Sequence, residues 1–359
     1  MARRVVLHLT LLGVGLGVFR VAVVPAEVCP EVTAAQVERT IDEAAAWLVR
    51  GLGEDGRYVY GYDRNVDLVS PDYNGTRHAG VTMALYQYAA AAGRPDVVGA
   101  ADRGLAFMLD HLLTEGEWLA WRSPGEEVQL GANALLTAAL VMRRRATGDE
   151  GYDALMRGVG RFLVAQQQPD GSMHGYWDPS TRRSVPVQGK FATGEAAWAL
   201  ALLDGELPGE GWAAPALPTI DYLALHRDRD MGFLTRMPDH WAAYAMAELG
   251  PAALDGVRPA YARAGVGTAG EGMAAIWRLA QDDSRLADLV PNVEDRLACF
   301  AGMMVERQAT AAEAAGYPRP GLVQGAWFYR GYVQMDDVQH VMAGLLASLP
   351  VLESREGAG

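Results

Sequence analysis

Five carboxylates stand where carboxylates are costly. Glu195 lies in GEAAWALAL, Glu271 in GEGMAAIWRLA, Asp239 opens DHWAAYAMAEL, and Asp336 and Asp337 adjoin in VQMDDVQHVMAGLLA. Each leads into an apolar run, and a lone carboxylate there needs a partner or a cavity. Two carboxyl groups across a cleft are the acid and the base, or the acid and the nucleophile, of glycoside cleavage. Asp336 and Asp337 disfavour each other's ionisation, which would leave one protonated as a general acid. His340 lies one turn beyond Asp336, on the same helical face.

Residues suited to hold a ligand accompany them. Tyr73, Asn74, Arg77 and His78 form one cluster. Asn74 sits where an N-cap belongs, and a cation such as Arg77 in the first turn opposes the helix dipole, so stability does not explain it. Arg77 suits a carboxylate or a hydroxyl-rich ligand, and His78 suits proton transfer. The structural alternative pairs Arg77 with Asp63 or Asp72. Asn133, Lys190, His240, Trp241, Arg330 and His340 open or precede later segments and join the candidate binding set. A salt bridge from Glu195 to Lys190 or Arg77, and simple capping by Asp239, are the plainer readings of those carboxylates. The chain has no GxxxxGKS loop, no GxSxG elbow and no HExxH pair. No cofactor and no metal are expected; a meeting of His78, His240 and His340 is the one metal arrangement the sequence leaves open.

The elements that position these groups are helices. Alanine, leucine, glutamate and arginine dominate after residue 30, and alternating Val/Ile runs are scarce. Amphipathic helices such as 33–50, 95–113 and 152–166 carry charge on one face. Between them lie Ala/Leu/Trp-rich helices that are apolar nearly all round and so must be buried. Six of these begin near Tyr73, Leu130, Lys190, Pro238, Gly267 and Val333, each with its polar residues at the N-terminal end. A buried helix beside an amphipathic one is a hairpin that cannot hide its apolar face alone. A ring of hairpins hides it, and parallel inner helices gather their polar N-termini at one mouth.

This all-α pattern over residues 31–350 resembles the α/α toroids: six-hairpin glycoside hydrolases, sugar epimerases and the terpenoid-cyclase and prenyltransferase group. Gly158 to Trp177 (GVGRFLVAQQQPDGSMHGYW) is similar to the QxxDGS repeat element of terpenoid cyclases, and Trp47 to Tyr62 is a weaker copy. The resemblance implies an (α/α)6 ring in which the Gln and the Asp-Gly turn tie an outer helix to the following loop. MDDV partly resembles the DxDD acid motif of class II cyclases, but Gln334 stands where the first Asp belongs.

The net charge of −13 argues against nucleic acid, which needs a basic patch. Arg3 and Arg4 precede an apolar run to Val24, which reads as a secretory signal over residues 1–30 or as an uncleaved anchor facing the body outward. Cys29 and Cys299 form a disulfide if the chain is exported, or stay as thiols. Residues 351–359 read as a disordered tail. The expectation is an extracellular or outward-facing enzyme of the glycoside hydrolase kind, acting on a glycan or small-molecule ligand in the central cleft. Tryptophans near loops (Trp118, Trp121, Trp177, Trp241, Trp327) would stack on sugar rings or line an isoprenoid pocket. An isoprenoid-handling protein and a non-catalytic binding toroid are the alternatives.

Overall fold

A computed structural model describes residues 2–22, 28–233, 237–254 and 270–358. Its helices are α1 (Ala2–Ala22), α2 (Ala34–Arg50), α3 (Gly75–Ala91), α4 (Pro95–Leu109), α5 (Leu130–Thr147), α6 (Asp153–Ala165), α7 (Ala192–Glu206), α8 (Ala213–Leu225), α9 (Arg227–Asp230), α10 (His240–Leu249), α11 (Gly270–Asp282), α12 (Val290–Arg307), α13 (Ala311–Ala314) and α14 (Met335–Ala358). All six apolar segments become helices that start within a turn of the positions read from the sequence. The local causes are the expected ones. Thr33 and Gln36 form a reciprocal capping box on α2, whose Val37, Ile41, Ala45 and Leu48 stripe is buried. Apolar α5 is buried from Leu130 to Met142 without a break.

The inner helices close a ring: α3 packs on α5, α5 on α7, α7 on α10, α10 on α11, α11 on α14, and α14 back on α3. The outer helices cover it, with α4 on α3, α6 on α5, α8 on α7, α12 on α11 and α2 on α14. One main core therefore runs round the whole ring.

Turns staple the outer layer. In the 166–172 element, the Ser172 amide donates to Asp170 and the Gln167 amide donates to Pro215 O and Thr219 Oγ1, so the end of α6 is tied to α8. Gly171 has φ +86° and lies against the Pro218 carbonyl, where no Cβ fits. Gly56 (φ +80°) meets α4 at Arg103 O in the same way, and Gly325 (φ +88°) meets α2 at Glu43 O. The third staple closes the ring, and the sequence does not show it as a DGS copy.

Short strands, not anticipated from the sequence, frame the mouth. They are β1 (Gly61–Asp63), β2 (Leu68–Val69), β3 (Leu112–Glu115), β4 (Trp118–Trp121), β5 (Val128–Gln129), β6 (Tyr176–Asp178), β7 (Arg183–Val185) and β8 (Tyr332–Gln334). They pair antiparallel as β2-β1-β8, β3-β4 and β5-β6-β7. Tyr62 faces Val333, so the first and last hairpins join beside α14.

Two expectations change at the ends and in the core. α14 runs to Ala358 through the residues read as a tail, because Val351 and Leu352 are buried. No helix among the described residues is long and apolar enough to cross a membrane. Trp121, Trp177, Trp241 and Trp327 are buried and so are not sugar platforms. Trp118 packs on Phe162 and Trp177. Cys29 and Cys299 form a disulfide.

Candidate active site

Three inner helices bring a histidine, a glutamate and a histidine together. His240 is the first residue of α10, Glu271 lies in the first turn of α11, and His340 lies in the second turn of α14. His340 Nδ1 donates to Glu271 Oε2 at 2.6 Å, and Tyr244 Oη donates to Glu271 Oε1 at 3.2 Å. His240 Nε2 lies 3.8 Å from Glu271 Oε2 and has no hydrogen-bond partner. The two imidazoles meet edge to face at 5.0 Å between centroids.

The electrostatics split the two rings. Burial lowers His240 to about 4, with Glu271 opposing it. Burial also disfavours charge on His340, but the Glu271 carboxylate against it, with Asp336 and Glu195, raises it to about 9. Burial pushes Glu271 up, yet the two histidines and its hydrogen bonds outweigh this and hold it below the usual carboxylate range. Near pH 7 the set thus holds one imidazolium and one neutral imidazole.

Arg77 completes this side. Its Nε donates to Asp336 Oδ2 at 3.3 Å and its Nη1 to Tyr60 Oη, while Asp336 Oδ1 lies 3.6 Å from His340 Nε2. The partner of Arg77 is therefore Asp336, across the ring closure, and neither Asp63 nor Asp72. Asp337 turns away to accept from the Gln334 amide, and burial raises it, with the Asp336 charge adding to the shift.

Asp239 both caps α10, accepting from Ala242 N at 3.2 Å, and pairs with Arg227 Nη1 at 2.5 Å. Both side chains are buried. Arg227 also binds Asp228 and the Met237 carbonyl, so α9 fixes the entry to α10. Burial pushes Asp239 up to about 6 against the pull of Arg227.

Glu195 lies in the first turn of α7, 6% exposed, with no hydrogen bond or ion pair among the described residues; neither Lys190 nor Arg77 pairs with it. Burial, then Asp239 and Asp336, raise it to about 8. Lys190 is exposed over the Phe191 ring.

Five candidates serve the scaffold. His78 is enclosed, bonded to Tyr73 Oη and to Gly104 O, and burial lowers it to about 4, so it does not join His240 and His340. Asn133 is fully buried and satisfied by Trp121 and Gln129 backbone, latching β4 to α5. Trp241 stacks on Trp198 beneath His240. Arg330 is exposed in a left-handed turn over Tyr329. Asn74 is the N-cap of α3, accepting from Arg77 N. The sequence reading missed Arg227, Tyr244 and Tyr60. Arg227 hides in a charged run, RDRD, and the tyrosines have no spacing signal.

His240, Glu271 and His340 are the group among the described residues that could hold a metal, with one ligand atom from each within 4.8 Å of the others. The 2.6 Å hydrogen bond already joins two of those atoms directly, which suits a shared proton.

No family model matches the sequence, and no curated protein matches it. The fold does match solved structures. A cellobiose 2-epimerase from Bacillus thermoamylovorans superposes with a TM-score of 0.62 at 11% identity, over 88% of this chain and 98% of that one. A glycoside hydrolase family 76 mannosidase from Bacteroides thetaiotaomicron gives 0.57 at 12%, over 90% and 99%. A type II terpene cyclase from Scytonema gives 0.52 at 15%, over 89% and 98%. All three are α/α toroids, and this chain has that fold.

Proposed function

We propose that the chain is a carbohydrate-active enzyme that moves a proton beside a sugar carbonyl, as an epimerase or isomerase does. The observation that carries this reading is the Glu271-linked pair, His340 charged and His240 neutral, at the mouth of the ring. Abstraction of a proton from the carbon next to a carbonyl needs a base, and the developing enolate oxygen needs an acid or a cation. His240 is the base, His340 the acid, and Arg77 a cation linked to His340 through Asp336. Glu271 orients His340 through Nδ1 and stabilises its cationic form, as a carboxylate does behind a catalytic histidine. The sugar epimerases among the fold neighbours are compatible with this chemistry.

The test is hydrogen exchange. D-mannose, D-glucose and cellobiose are incubated with the protein in D2O, and loss of the C2 proton is followed by NMR. Exchange that stops in His340→Asn supports the reading. Release of reducing ends from a glycan with no exchange would overturn it in favour of hydrolysis, for which Glu195 and Asp336 are the paired carboxylates. That second reading is supported by the charge of Asp336 acting on Glu195 and has a mannosidase among its fold neighbours. The charged lining of the mouth opposes an isoprenoid pocket. The disulfide and the basic–apolar N-terminus support an exported protein; fractionation of the native host checks this.

A further inference from the structure

Asp239 and Glu271, both buried, each have a cation: Arg227 for the first and His340 for the second. Glu195 has none, and no hydrogen bond either. It lines a cavity of about 220 Å3 with Asn74, Thr76, Gln129, Tyr176 and Lys190. The first turns of α3, α5 and α7 open on this cavity. Residue 131 at the start of α5 is glycine, and Glu195 Oε2 occupies the space that a Cβ there would take, with no partner for this carboxyl among the described residues. A buried polar group is normally satisfied.

We infer that this cavity is a subsite for a single neutral sugar ring, with Glu195 exchanging hydrogen bonds with a ring hydroxyl. The inference rests on reading the mouth as a sugar site. Its volume lies below the roughly 300–1,000 Å3 of drug-sized sites, which suits one ring and not a chain. Thr76 Oγ1 donates to Gln129 Oε1 at 2.8 Å, leaving the Gln129 amide N–H groups for the ligand. The charged groups facing Glu195 are Asp239 on α10 and Asp336 and His340 on α14. Arg227 answers Asp239 and Arg77 answers Asp336. The exposed Lys190 at the rim makes no ion pair with it. In that setting Glu195 holds its proton at neutral pH. A protonated carboxyl both donates and accepts, as a sugar hydroxyl does. A uronate would meet acidic groups, and a hexosamine ammonium would need Glu195 ionised.

The test is calorimetric titration of the full chain with D-glucose, D-mannose, D-glucosamine and D-glucuronate between pH 6 and 9. The expected result is binding of a neutral hexose that weakens about tenfold by pH 9 as Glu195 loses its proton. Glu195→Leu should weaken it about tenfold at pH 6.5, whereas Glu195→Gln, which also donates and accepts, should bind with no pH dependence. Circular dichroism checks folding, and the near-isosteric Gln variant keeps the test decisive if the Leu variant does not fold. Three results would overturn the subsite: no neutral hexose binds, the Leu variant binds as the parent does, or glucosamine or glucuronate is preferred. Titration does not require turnover. A chain that binds hexose but exchanges no hydrogen would overturn the proton-transfer reading and leave the subsite standing.

Discussion

The two sides of the mouth are built from equivalent helix starts and differ in how they treat buried charge. On the α10, α11 and α14 side each buried carboxylate among the described residues has a cation, and Glu271 bonds both His340 and Tyr244 directly. On the α3, α5 and α7 side the lining is polar, and its one buried carboxyl has no partner. A closed, charged network holds its members in fixed geometry and sets their protonation. An open one leaves its hydrogen-bonding capacity for something that arrives. In the proposed reading the same fold position serves chemistry on one side and recognition on the other.

The largest effect should come from breaking the charged side. Glu271→Gln or His340→Asn should lower hydrogen exchange about 10²–10⁴-fold, the usual range for a positioned acid or base. In the parent, rate should fall below about pH 4, where His240 takes a proton, and above about pH 9, where His340 loses one. In Glu271→Gln the alkaline limb should move toward the ordinary histidine value of about 6.5. An unmoved limb in the pH–rate profile would show that Glu271 does not govern His340.

Arg227→Met should cost stability instead of only chemistry. It strands Asp239 as a buried, unpaired carboxyl, a loss of about 3–5 kcal/mol. Adding Asp239→Asn should restore part of it. Urea denaturation of the single and double variants checks both, and equal losses would mean that the pair is not coupled.

A comparable effect sharpens the contrast through pH. Glu195 has a raised folded value, so the folded state holds its proton while the unfolded chain does not. Its contribution is complete below about 4.5 and is lost as pH rises through about 8. His340 has the same sign, complete below its ordinary value and lost as pH rises through about 9. His78 and His240, held neutral, act oppositely: their contributions are present above about 6.5 and are lost as pH falls through about 4. Glu195→Gln should therefore gain stability relative to the parent between pH 5 and pH 8.5, by up to about 4 kcal/mol. Chemical denaturation at the two pH values measures it. The smallest effect is the control: Arg157→Ala removes an outer-layer pair with Glu210 and should shift stability by no more than about 0.5 kcal/mol in the same assay.

Much of the molecule was legible before any coordinates. Apolar runs such as GEAAWALAL and LGANALLTAALVM can only be buried helices, so their starts, their number and the ring that hides them follow from burial of apolar surface. The identity of the polar groups at the mouth follows too, because a carboxylate or histidine at the head of such a run is conspicuous. The 166–172 turn was readable from QPDG, and its structural meaning holds.

What tertiary structure decided is pairing. Asp239, Glu195 and Glu271 look alike in sequence, each a carboxylate at the head of an apolar helix. Their fates differ because Arg227 arrives from α9, His340 from α14, and nothing arrives for Glu195. His78 and His340 look alike as well, yet one is sealed among Tyr73, Phe107 and Trp121 and the other meets a carboxylate. The strands of the mouth were invisible because two to four residues carry no period. Burial is a one-body property that composition and periodicity encode locally. Charge pairing is a two-body property between residues far apart in the chain, and only the closed ring brings the partners within reach.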